Sequence, residues 1–507
     1  MNINISYRTK IERIFFILGI VYFLGQFLFC WNQPILDQYA FRQTQTAISS
    51  YWIIHGGNWL AYPTPVLGAP WAIPFEFPLY QWLAAGLAAT MHFLTLDQSG
   101  RLVSAAFFLG CLWPAWRITK HFSDGSSIFR IAASLVLFSP LYAFWSRSFM
   151  MESAVLFFSG WFVAALFDYL NEPSGYGFIE MCGTGSVAAC IKITTFFGFS
   201  VAGAFILLYM FAINIRSMNK FRQVYPYLLT GVAVLFSIAT LETWVIFSDN
   251  VKSRNILASM YTSSALAGWN FGSLAQRWSI ALLQVIWVRA PNEALGSWII
   301  AALAAIGVIF LRGWQKRMIF AALVFLYLIT FYTFTNLHLV HHYYQYANSI
   351  FLVVAVAYVI FSIAQSRSAL ILPMMCVVVF AEIYGYSQYF YDDLVGPNRV
   401  EQQLISNYLR ENTPSQDMFV GFGLTWSSEV PYYAERRAML ISGNTSADKL
   451  SYVRAHIAEL SGGYPISSVV TCPDSQSAPK PKEYNQLITQ LITNRKPNYV
   501  GYCIVYH

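Results

Sequence analysis

Charged residues are scarce in this chain. Of its 507 residues, 11% are Asp, Glu, Lys or Arg, whereas soluble domains average about 25%. A soluble protein of this length would lack the charge that its surface needs, so the soluble class is excluded. A disordered chain is excluded too, because 16 Trp, 32 Tyr and 41 Phe are far too many aromatic residues for that class. With 57% hydrophobic residues, the composition predicts a polytopic membrane protein.

Internal repeats are lacking as well. No self-similarity with a period of 20–50 residues is evident, which argues against solenoid and array architectures. The net charge of +7 is small for this length and indicates an asymmetry between loops rather than a surface that binds nucleic acid.

Eleven apolar runs are close to the length that crosses a membrane. The first is expected to be a span rather than a cleavable signal peptide, because it is long and no small-residue cleavage site follows it. The runs lie at about 14–31, 101–117, 130–146, 154–170, 178–193, 196–214, 226–246, 296–311, 318–335, 348–364 and 369–386.

Basic residues between the runs predict the orientation. If all four basic clusters lie in the cytoplasm, as the positive-inside rule requires, the N-terminus is inside and the C-terminus outside. The clusters are Arg8, Lys10 and Arg13; Arg117, Lys120 and Arg130; Arg216, Lys220 and Arg222; and Arg312, Lys316 and Arg317.

Two further apolar stretches do not fit this orientation as spans. Residues 79–95 would invert every later loop, and the stretch is short and contains Gln81 and His92. We interpret residues 79–95 and 278–288 as helices that lie at the outer interface or re-enter partway. Two extra spans with a locally broken charge rule are the alternative.

The composition changes after about residue 390. We predict a transmembrane domain over 1–390 and a periplasmic α/β domain over 391–507, because helix-like and strand-like pieces alternate there. The helix-like pieces are 401–411, 447–460 and 483–493, and the strand-like pieces are 417–422, 437–441, 467–472 and 498–505. Of seven cysteines, Cys472 and Cys503 lie in this domain, where a disulfide is permitted, but spacing alone does not fix whether they pair.

The remaining ionisable groups collect on the predicted outer side, and each needs an explanation in a chain with so little charge. They lie in two outer loops, at the outer end of the fifth span and in the segment NLHLVHHYYQYAN (336–348). These residues are Asp37, Arg42, Glu76, Arg147, Glu152, Lys192, His338, His341 and His342, with Tyr343 and Tyr344 beside the histidines.

Each of these residues also has an ordinary structural interpretation. Asp37 could be a solvated residue at a helix end, and Glu152 could stabilise a helix N-terminus. Lys192 could extend to lipid headgroups, and the arginines could bind lipid phosphate. The His and Tyr residues could form an interfacial aromatic belt.

Together the same residues favour a chemical site. Carboxylates act as general bases or metal ligands, and cations hold an anionic leaving group. This inventory at one membrane edge suits the transfer of a group from a phosphate-bearing lipid, and aromatic faces suit sugar rings. Asp37 and Glu152 are also candidate ligands for a divalent cation such as Mg²⁺ or Mn²⁺, and the metal requirement stays open.

At these residues the sequence resembles the C superfamily of integral-membrane glycosyltransferases (GT-C), in particular its bacterial protein-mannosyltransferase-like and aminoarabinose-transferase-like branch. The match runs in order through about the first 350 residues. It consists of Asp37 followed by FRQTQTA, EFPLYQWL at 76–83, RLVSA at 101–105, SPL and SRSFMMESAVLFF within 139–158, Lys192, and HHYY at 341–344.

The resemblance implies a GT-C-like fold, about eleven transmembrane helices with interfacial helices in a long first outer loop, and a polyprenyl-phosphate-linked sugar donor. It implies inverting transfer with Asp37 as the general base, while Glu152 positions the acceptor or a divalent cation. Lys192 and the His341–Tyr344 segment would hold the lipid phosphate, and Arg42 and Arg147 would help to neutralise it. Tyr80 matches the family in the first outer loop and is a predicted substrate-binding residue.

One departure bears on the donor. The aminoarabinose branch tends to have Lys-Pro-Pro-Leu-Tyr where this chain has Glu76, Phe77, Pro78, Leu79 and Tyr80. An ionised Glu76 cannot contact phosphate as a lysine would. This argues for a neutral sugar, with Glu76 bonding to hydroxyl groups of the sugar or the acceptor.

The resulting prediction is a bacterial inner-membrane enzyme that transfers a hexose-like sugar from undecaprenyl phosphate to a periplasmic glycan such as O-antigen or lipopolysaccharide. Aminosugar transfer to lipid A and mannosyl transfer to a secreted protein stay open. A lipid-linked-sugar transporter is the alternative from another class, although transporters tend to show inverted repeats and charges at midplane.

Overall fold

The computed structural model describes residues 2–214, 221–395, 400–473 and 479–507. They form two compact units, each assembled from distant segments. The first unit comprises Met1–Gln33, Arg101–Thr243 and Ala267–Leu394, and the second comprises Pro34–Gly100, Trp244–Leu266 and Val395–His507. The boundary at residue 390 stays a prediction, and the basic residues Arg216 and Lys220 lie outside the described residues.

Helices dominate the described chain. The α-helices are α1 (Asn2–Phe29), α2 (Ala40–Ile54), α3 (Leu79–Thr90), α4 (Leu96–Gly110), α5 (Leu112–Thr119), α6 (Gly125–Phe138), α7 (Pro140–Trp145), α8 (Glu152–Asn171), α9 (Gly175–Asn214), α10 (Phe221–Lys252), α11 (Ala267–Phe271), α12 (Leu274–Arg277), α13 (Ile280–Arg289), α14 (Trp298–Gly307), α15 (Trp314–Thr333), α16 (Thr335–Val340), α17 (Ser349–Ser366), α18 (Ile371–Tyr389), α19 (Tyr391–Val395), α20 (Val400–Asn412), α21 (Glu429–Ala434), α22 (Ala447–Ala455), α23 (Ile457–Leu460) and α24 (Lys482–Ile492). Short 3₁₀ turns cover Ala258–Tyr261, Val308–Phe310, His342–Ala347 and Ser368–Leu370, and a π-helical turn covers Ala290–Ala294.

Eight helices of the described chain are long and apolar enough to cross a membrane. Each coincides with one or two of the predicted runs, so the prediction of a polytopic helical protein is confirmed. The eight are Tyr7–Phe29, Leu96–Thr119, Glu152–Asn171, Gly175–Asn214, Val224–Lys252, Trp314–Thr333, Ser349–Ser366 and Ser368–Tyr389.

Helix α9 contains two of the predicted runs, 178–193 and 196–214. Its 40 residues would extend about 60 Å if straight, but Lys192 is non-helical (φ −163°, ψ 98°). Before this break, Gly177 lies against Tyr169 of α8 and Gly185 lies against Phe162, so this leg runs towards the start of α8. After the break, Phe196 contacts Phe162 and Gly203 contacts Leu166, so this leg runs towards the end of α8. The two legs therefore run along α8 in opposite directions, as two separate spans would.

Two predicted spans are wrong in extent. The run 130–146 is divided into α6 and α7, because Pro140 has no N–H to donate and disfavours a helical residue before it. The runs 278–288 and 296–311 form one pair, Ile280–Ala294 with Trp298–Phe310, bent by 95°. This pair is a broken span or a re-entrant loop, so the described chain has eight candidate spanning helices, or nine with this pair, when the 40 residues of α9 are counted as one helix.

The first outer loop lies in the second unit and contains α2 and α3. Helix α3 ends at Thr90 and has 12 residues, or about 18 Å, which is too short for the roughly 30 Å hydrocarbon core. The interpretation of 79–95 as a segment that does not span is therefore consistent with its length.

The C-terminal part of the second unit contains a sheet, as predicted, with five strands where the sequence indicated four. The strands are β1 (Met418–Phe422), β2 (Arg437–Ile441), β3 (Ile466–Thr471), β4 (Pro497–Val500) and β5 (Cys503–Tyr506). Their order is β2-β1-β3-β5-β4, with β1 parallel to β2 and β3, and β5 antiparallel to β3 and β4. The piece 498–505 is a hairpin rather than one strand, because Gly501 turns the chain with φ +57°.

The first outer loop continues this sheet within the second unit. The N–H groups of Ala438 and Leu440 donate to the carbonyls of Pro65 and Val66 at 2.9 and 2.8 Å. Asn255 donates to the carbonyls of Leu67, Gly68 and Ala69 at 2.9–3.1 Å and fixes the next turn of the loop. The loop thus covers the β2 edge, which would otherwise present unpaired backbone groups.

Cys472 and Cys503 form a disulfide that joins the end of β3 to the start of β5. The five other cysteines are not disulfide-bonded: Cys30, Cys111, Cys182, Cys190 and Cys376. The bond closes a chain segment with a sequence separation of 31 residues, which removes conformational entropy from the unfolded domain.

Reduction of this disulfide is expected to destabilise the sheet by about 3–4 kcal/mol. Urea titration followed by hydrogen exchange of the β3 and β5 amides, with and without reductant, measures the loss. The Cys472→Ala/Cys503→Ala variant should match the reduced protein, and Cys376→Ala, which removes a free thiol, should match the oxidised one. Equal protection in oxidised and reduced protein would contradict the role given to the bond.

Candidate functional site

The predicted site residues form one cluster in each unit. The cationic cluster, in the first unit, comprises Arg147, Glu152, Lys192, Glu293 and residues 341–345. The first-loop cluster, in the second unit, comprises Asp37, Arg42, Gln43 and Glu76.

A buried ion pair lies at the centre of the cationic cluster. Lys192, at the break in α9, donates from Nζ to Oε1 of Glu152, the first residue of α8. Their side chains are 6% and 4% exposed. The other oxygen of Glu152, Oε2, is buried and has no hydrogen-bond partner within the part of the chain described. One oxygen of the carboxylate is therefore available to a bound hydroxyl group.

Two tyrosine rings cover the ammonium group of Lys192. Its Nζ lies 4.9 Å from the ring centroid of Tyr343 and 4.3 Å from that of Tyr344. The rings stack on each other with centroids 4.7 Å apart, and His341 lies within 5.8 Å of both. Cation–π contacts of this kind hold a lysine at a fixed place without adding a further counter-charge to that of Glu152.

His342 points to a second carboxylate. Its Nδ1 lies 2.9 Å from Oε1 of Glu293, whose Oε2 accepts a hydrogen bond from Nε2 of Gln345. Glu293 belongs to the π-helical turn, and its side chain is 8% exposed. The turn and the His342–Ala347 segment are therefore joined through one buried acid.

Further contacts fix the backbone of the His342–Ala347 segment. The hydroxyl of Tyr346 lies 2.8 Å from Oγ of Ser146 and 2.9 Å from Oγ of Ser153. Arg289 donates to the carbonyls of His338 and His341. The backbone that carries the two tyrosines covering Lys192 is therefore fixed by hydrogen bonds on both sides.

Buried cations give the cluster its electrostatic character. Arg147 is fully buried, with its guanidinium 4.2 Å above the ring of Phe144, and Nη1 of Arg101 reaches the Arg147 carbonyl at 3.5 Å. Burial lowers the pKa of His338 to about 3, so that histidine is neutral near pH 7. The positive charge of the cluster therefore comes from lysine and arginine.

In the first-loop cluster, Asp37 precedes α2. Tyr39 is left-handed (φ 52°) and leads into the helix at Ala40, whose N–H donates to the Asp37 carbonyl at 3.1 Å. The Asp37 carboxylate accepts a hydrogen bond from Nε2 of Gln43, one turn into the helix, and the residue is 5% exposed. A neutral amide thus orients this acid.

Arg42 and Glu76 form an ion pair within the same cluster. The Arg42 Nη2 donates to Oε1 of Glu76, and Nη1 donates to Oε1 of Gln45 at 2.5 Å. Tyr62 fixes the backbone beside Glu76 by donating to its carbonyl at 3.0 Å and accepting from the N–H of Phe75 at 2.8 Å. The structure therefore brings Arg42 together with the acid that departs from the family pattern.

Tyr80 has a different environment from the other predicted residues. It is fully buried, and its hydroxyl donates to the Gly100 carbonyl at 2.8 Å. This hydrogen bond joins α3 to the α4 segment of the second unit. Its predicted contact with substrate stays a prediction.

Sequence reasoning missed Gln43, Glu293, Gln345 and Arg289. Gln43 lies in a run of four polar residues, 43–46, that are all buried, and such a run inside an apolar chain is a signal for a hydrogen-bonded site. Arg289 and Glu293 are the two charged residues in the apolar stretch 278–311, and the criterion that identified Glu152 would have found both.

The role of Asp37 and Glu152 as metal ligands stays a prediction. Among the described residues, no group of three or more His, Cys, Asp or Glu is arranged to hold a metal ion. The ammonium of Lys192 occupies the position beside Glu152 that a cation would take, and a neutral amide faces Asp37. No chemical step proposed below passes through a metal.

The fold is shared with several solved membrane glycosyltransferases. ArnT from Cupriavidus metallidurans, solved with bound undecaprenyl phosphate, aligns over 97% of both chains with a TM-score of 0.62 and 11% identity. The chain has the GT-C fold. The predicted fold class is therefore confirmed.

Two larger GT-C proteins align less completely. The oligosaccharyltransferase AglB from Archaeoglobus fulgidus, in complex with an inhibitory peptide and a dolichol-phosphate, aligns over 91% of this chain and 69% of its own, with a TM-score of 0.53 and 11% identity. The mycobacterial arabinofuranosyltransferase AftD aligns over 96% of this chain and 39% of its own, with a TM-score of 0.51 and 12% identity. No family profile matches the sequence, and no curated protein matches it at a significant level.

Replacement of Lys192 by Met is expected to reduce the free energy of unfolding by about 3–5 kcal/mol, because Glu152 would remain buried without its cation. The double variant Lys192→Met/Glu152→Gln should recover most of that loss, since it buries no charge. Chemical unfolding of the detergent-solubilised protein measures both. Lys316→Met, at a more exposed lysine of α15, serves as the control, and a fully stable single variant would refute the importance of the pair.

Proposed function

We propose that this protein transfers a hexose-like sugar from a polyprenyl phosphate, such as undecaprenyl phosphate, to an acceptor glycan outside the cytoplasm, such as O-antigen. The observation that carries the proposal is the buried Lys192 ammonium, held by Glu152 and two tyrosine faces within a GT-C fold. Such a group is suited to neutralise the phosphate of a lipid carrier.

Buried cations of the first unit support a phosphate ligand. Lys192 and three arginines, Arg101, Arg147 and Arg289, are all buried. Buried lysine and arginine side chains are the groups that bind phosphate in proteins. Solved neighbours of this fold bind undecaprenyl phosphate and dolichol-phosphate, which are anions of this kind.

The proposed reaction is a single displacement at the anomeric carbon. A hydroxyl oxygen of the acceptor forms a bond to that carbon while the bond from the carbon to the phosphate oxygen breaks on the opposite face, which inverts the configuration. Asp37 accepts the proton of the attacking hydroxyl, and Lys192 stabilises the charge that develops on the polyprenyl phosphate. Glu152, with Oε2 available, positions a hydroxyl group.

Two observations support a location outside the cytoplasm for the second unit. Its disulfide belongs to an oxidising compartment such as the bacterial periplasm. The positive-inside rule, applied to the four basic clusters of the sequence, also predicts a C-terminus outside the cytoplasm. We therefore propose a bacterial inner-membrane protein with a periplasmic C-terminus.

Asp37→Asn is expected to reduce turnover by about 10²–10⁴-fold, the usual range for the loss of a general base. Purified protein is incubated with polyprenyl-phosphate sugars and an acceptor glycan, and the release of free polyprenyl phosphate is scored. Asp448→Asn, at an exposed aspartate of α22 in the same unit, should retain wild-type turnover. Near-normal turnover of folded Asp37→Asn would overturn the assignment, and no release by the wild-type protein from any donor tested would overturn the proposed function.

Glu76→Gln is expected to weaken donor discrimination. The variant removes a carboxylate charge beside Arg42, and a neutral sugar and an aminosugar differ in the charge that this carboxylate would meet. The ratio of kcat/KM for a neutral-sugar donor to that for an aminosugar donor should change by about tenfold, equivalent to about 1.4 kcal/mol. Full activity with an unchanged ratio would remove the basis for assigning Glu76 to donor choice.

A further inference from the structure

The second unit contains a cavity that is not part of either cluster of predicted site residues. Its volume is about 310 Å³, within the range typical of small-molecule sites, roughly 300–1,000 Å³. Its walls come from a 3₁₀ turn and from two loops of the α/β sheet. The lining residues are Met260, Tyr261, Thr425, Trp426, Ser442, Asn444 and Thr445.

The cavity lies where ligands bind in open α/β sheets. Thr425 and Trp426 follow the carboxyl end of β1, and Ser442 directly follows the carboxyl end of the parallel strand β2. Both loops therefore lie at the carboxyl edge of two adjacent parallel strands.

An aromatic pair forms one wall of the cavity. The rings of Tyr261 and Trp426 are half-buried, with centroids 4.3 Å apart and an interplanar angle of 31°. Phe75 packs against both rings, at 6.2 and 5.8 Å, and Phe41 packs edge-on against Trp426 at 4.8 Å. The pair is thereby held rigid and keeps part of its surface towards the cavity.

Neutral hydrogen-bonding groups form the opposite wall. Thr425, Ser442, Asn444 and Thr445 supply hydroxyl and amide groups, and the set of lining residues contains no Asp, Glu, Lys or Arg. Thr425 has φ +53°, which is costly for a β-branched residue and is maintained only when its surroundings hold it. Flat apolar rings facing neutral donors and acceptors suit an uncharged sugar, which has apolar C–H faces and a rim of hydroxyl groups.

The cavity is connected to the first-loop cluster within the same unit. Phe41 and Phe75, which pack on Trp426, directly precede Arg42 and Glu76 in the chain. Asp37, the proposed base, begins the same loop. The residues that support the aromatic wall of the cavity are therefore chain neighbours of the charged residues of that cluster.

We propose that this cavity binds a neutral sugar unit of the acceptor glycan, an inference that rests on the proposed function. Tyr261 and Trp426 contact the face of the sugar ring, while Asn444 and Ser442 hydrogen-bond to its hydroxyl groups. Selection of the acceptor is then a property of the second unit, whereas recognition of the lipid phosphate is a property of the first.

Direct binding tests the cavity without any turnover. The full chain is purified in a detergent whose headgroup is not a sugar, and saturation-transfer NMR titrations measure Kd. The probes are gluco-, manno-, galacto- and rhamno-oligosaccharides of two to four units, with glucuronate-containing oligosaccharides as anionic comparisons. At least one neutral probe should bind more tightly than the anionic probes.

Variants and matched controls locate the binding. Tyr261→Ala and Asn444→Ala should each raise the Kd of that probe by about tenfold, the change expected when one ring contact or one hydrogen-bonding group is lost. Tyr499→Ala, at a tyrosine of β4 that is 80% exposed, and Asn485→Ala, at an exposed asparagine of α24, should leave Kd unchanged. Asp37→Asn, which removes the proposed base, should still bind the probe.

The outcomes separate this inference from the proposed function. Absence of binding by every neutral probe, or equal affinity in wild-type protein and both cavity variants, overturns the sugar-binding cavity even if polyprenyl phosphate is released normally. Binding that Tyr261→Ala and Asn444→Ala weaken supports the cavity even if no transfer is found, and the proposed function then falls alone.

Discussion

The ion pair between Lys192 and Glu152 is the constraint on which the first unit depends. Neither charge could be buried alone at reasonable cost, so each requires the other. The pair joins the first residue of α8 to the break in α9, and the tyrosines of residues 341–345 cover the ammonium. Three segments far apart in the chain are therefore fixed by one buried contact.

The break at Lys192 follows from the same requirement. A lysine inside a continuous apolar helix would direct its ammonium to lipid or to the nearest headgroups. An extended residue instead reverses α9 along α8, and the side chain faces Glu152. A carboxylate held by an ammonium is a weak base, because its protonation would leave the cation unpaired. The same reasoning applies to Glu76 beside Arg42.

Much of the fold could be predicted from the sequence, because hydrophobicity and charge act locally. Run lengths located the spanning helices, and the alternation of short pieces located the strands from β1 to β3 within a residue or two. The reversal at Lys192 also agreed with two separate runs. The sequence prediction did not include three local changes of direction: the division of a helix at Pro140, the 95° bend after Ala294 and the turn at Gly501. Changes of this kind involve few residues, so they barely alter the length and hydrophobicity of an apolar run.

The contacts of the candidate site were harder to predict. The criterion of a lone charge in an apolar segment identified Asp37, Glu152 and Lys192, since a buried charge is visible in sequence as an anomaly. It does not tell which charges pair, because pairing depends on packing between distant segments. Thus the partnership of Lys192 with Glu152, and that of His342 with Glu293, appeared only in the structure.

The three neighbours of this fold described above are 11–12% identical to the chain in sequence. Similarity at this level indicates a common backbone arrangement but does not identify the substrate. A phosphate can be bound by few residue types, since it requires cations or N–H groups, and the first unit carries buried lysine and arginine side chains.

Acceptor glycans differ in ring stereochemistry and substitution, so their recognition requires a surface that can change without disturbing the ion pair. Loops at the carboxyl ends of β1 and β2 meet that requirement, because their side chains can vary while the sheet beneath them retains its hydrogen bonds. Specificity for the acceptor is therefore expected to evolve in those loops, and the contacts around Lys192 are expected to stay fixed.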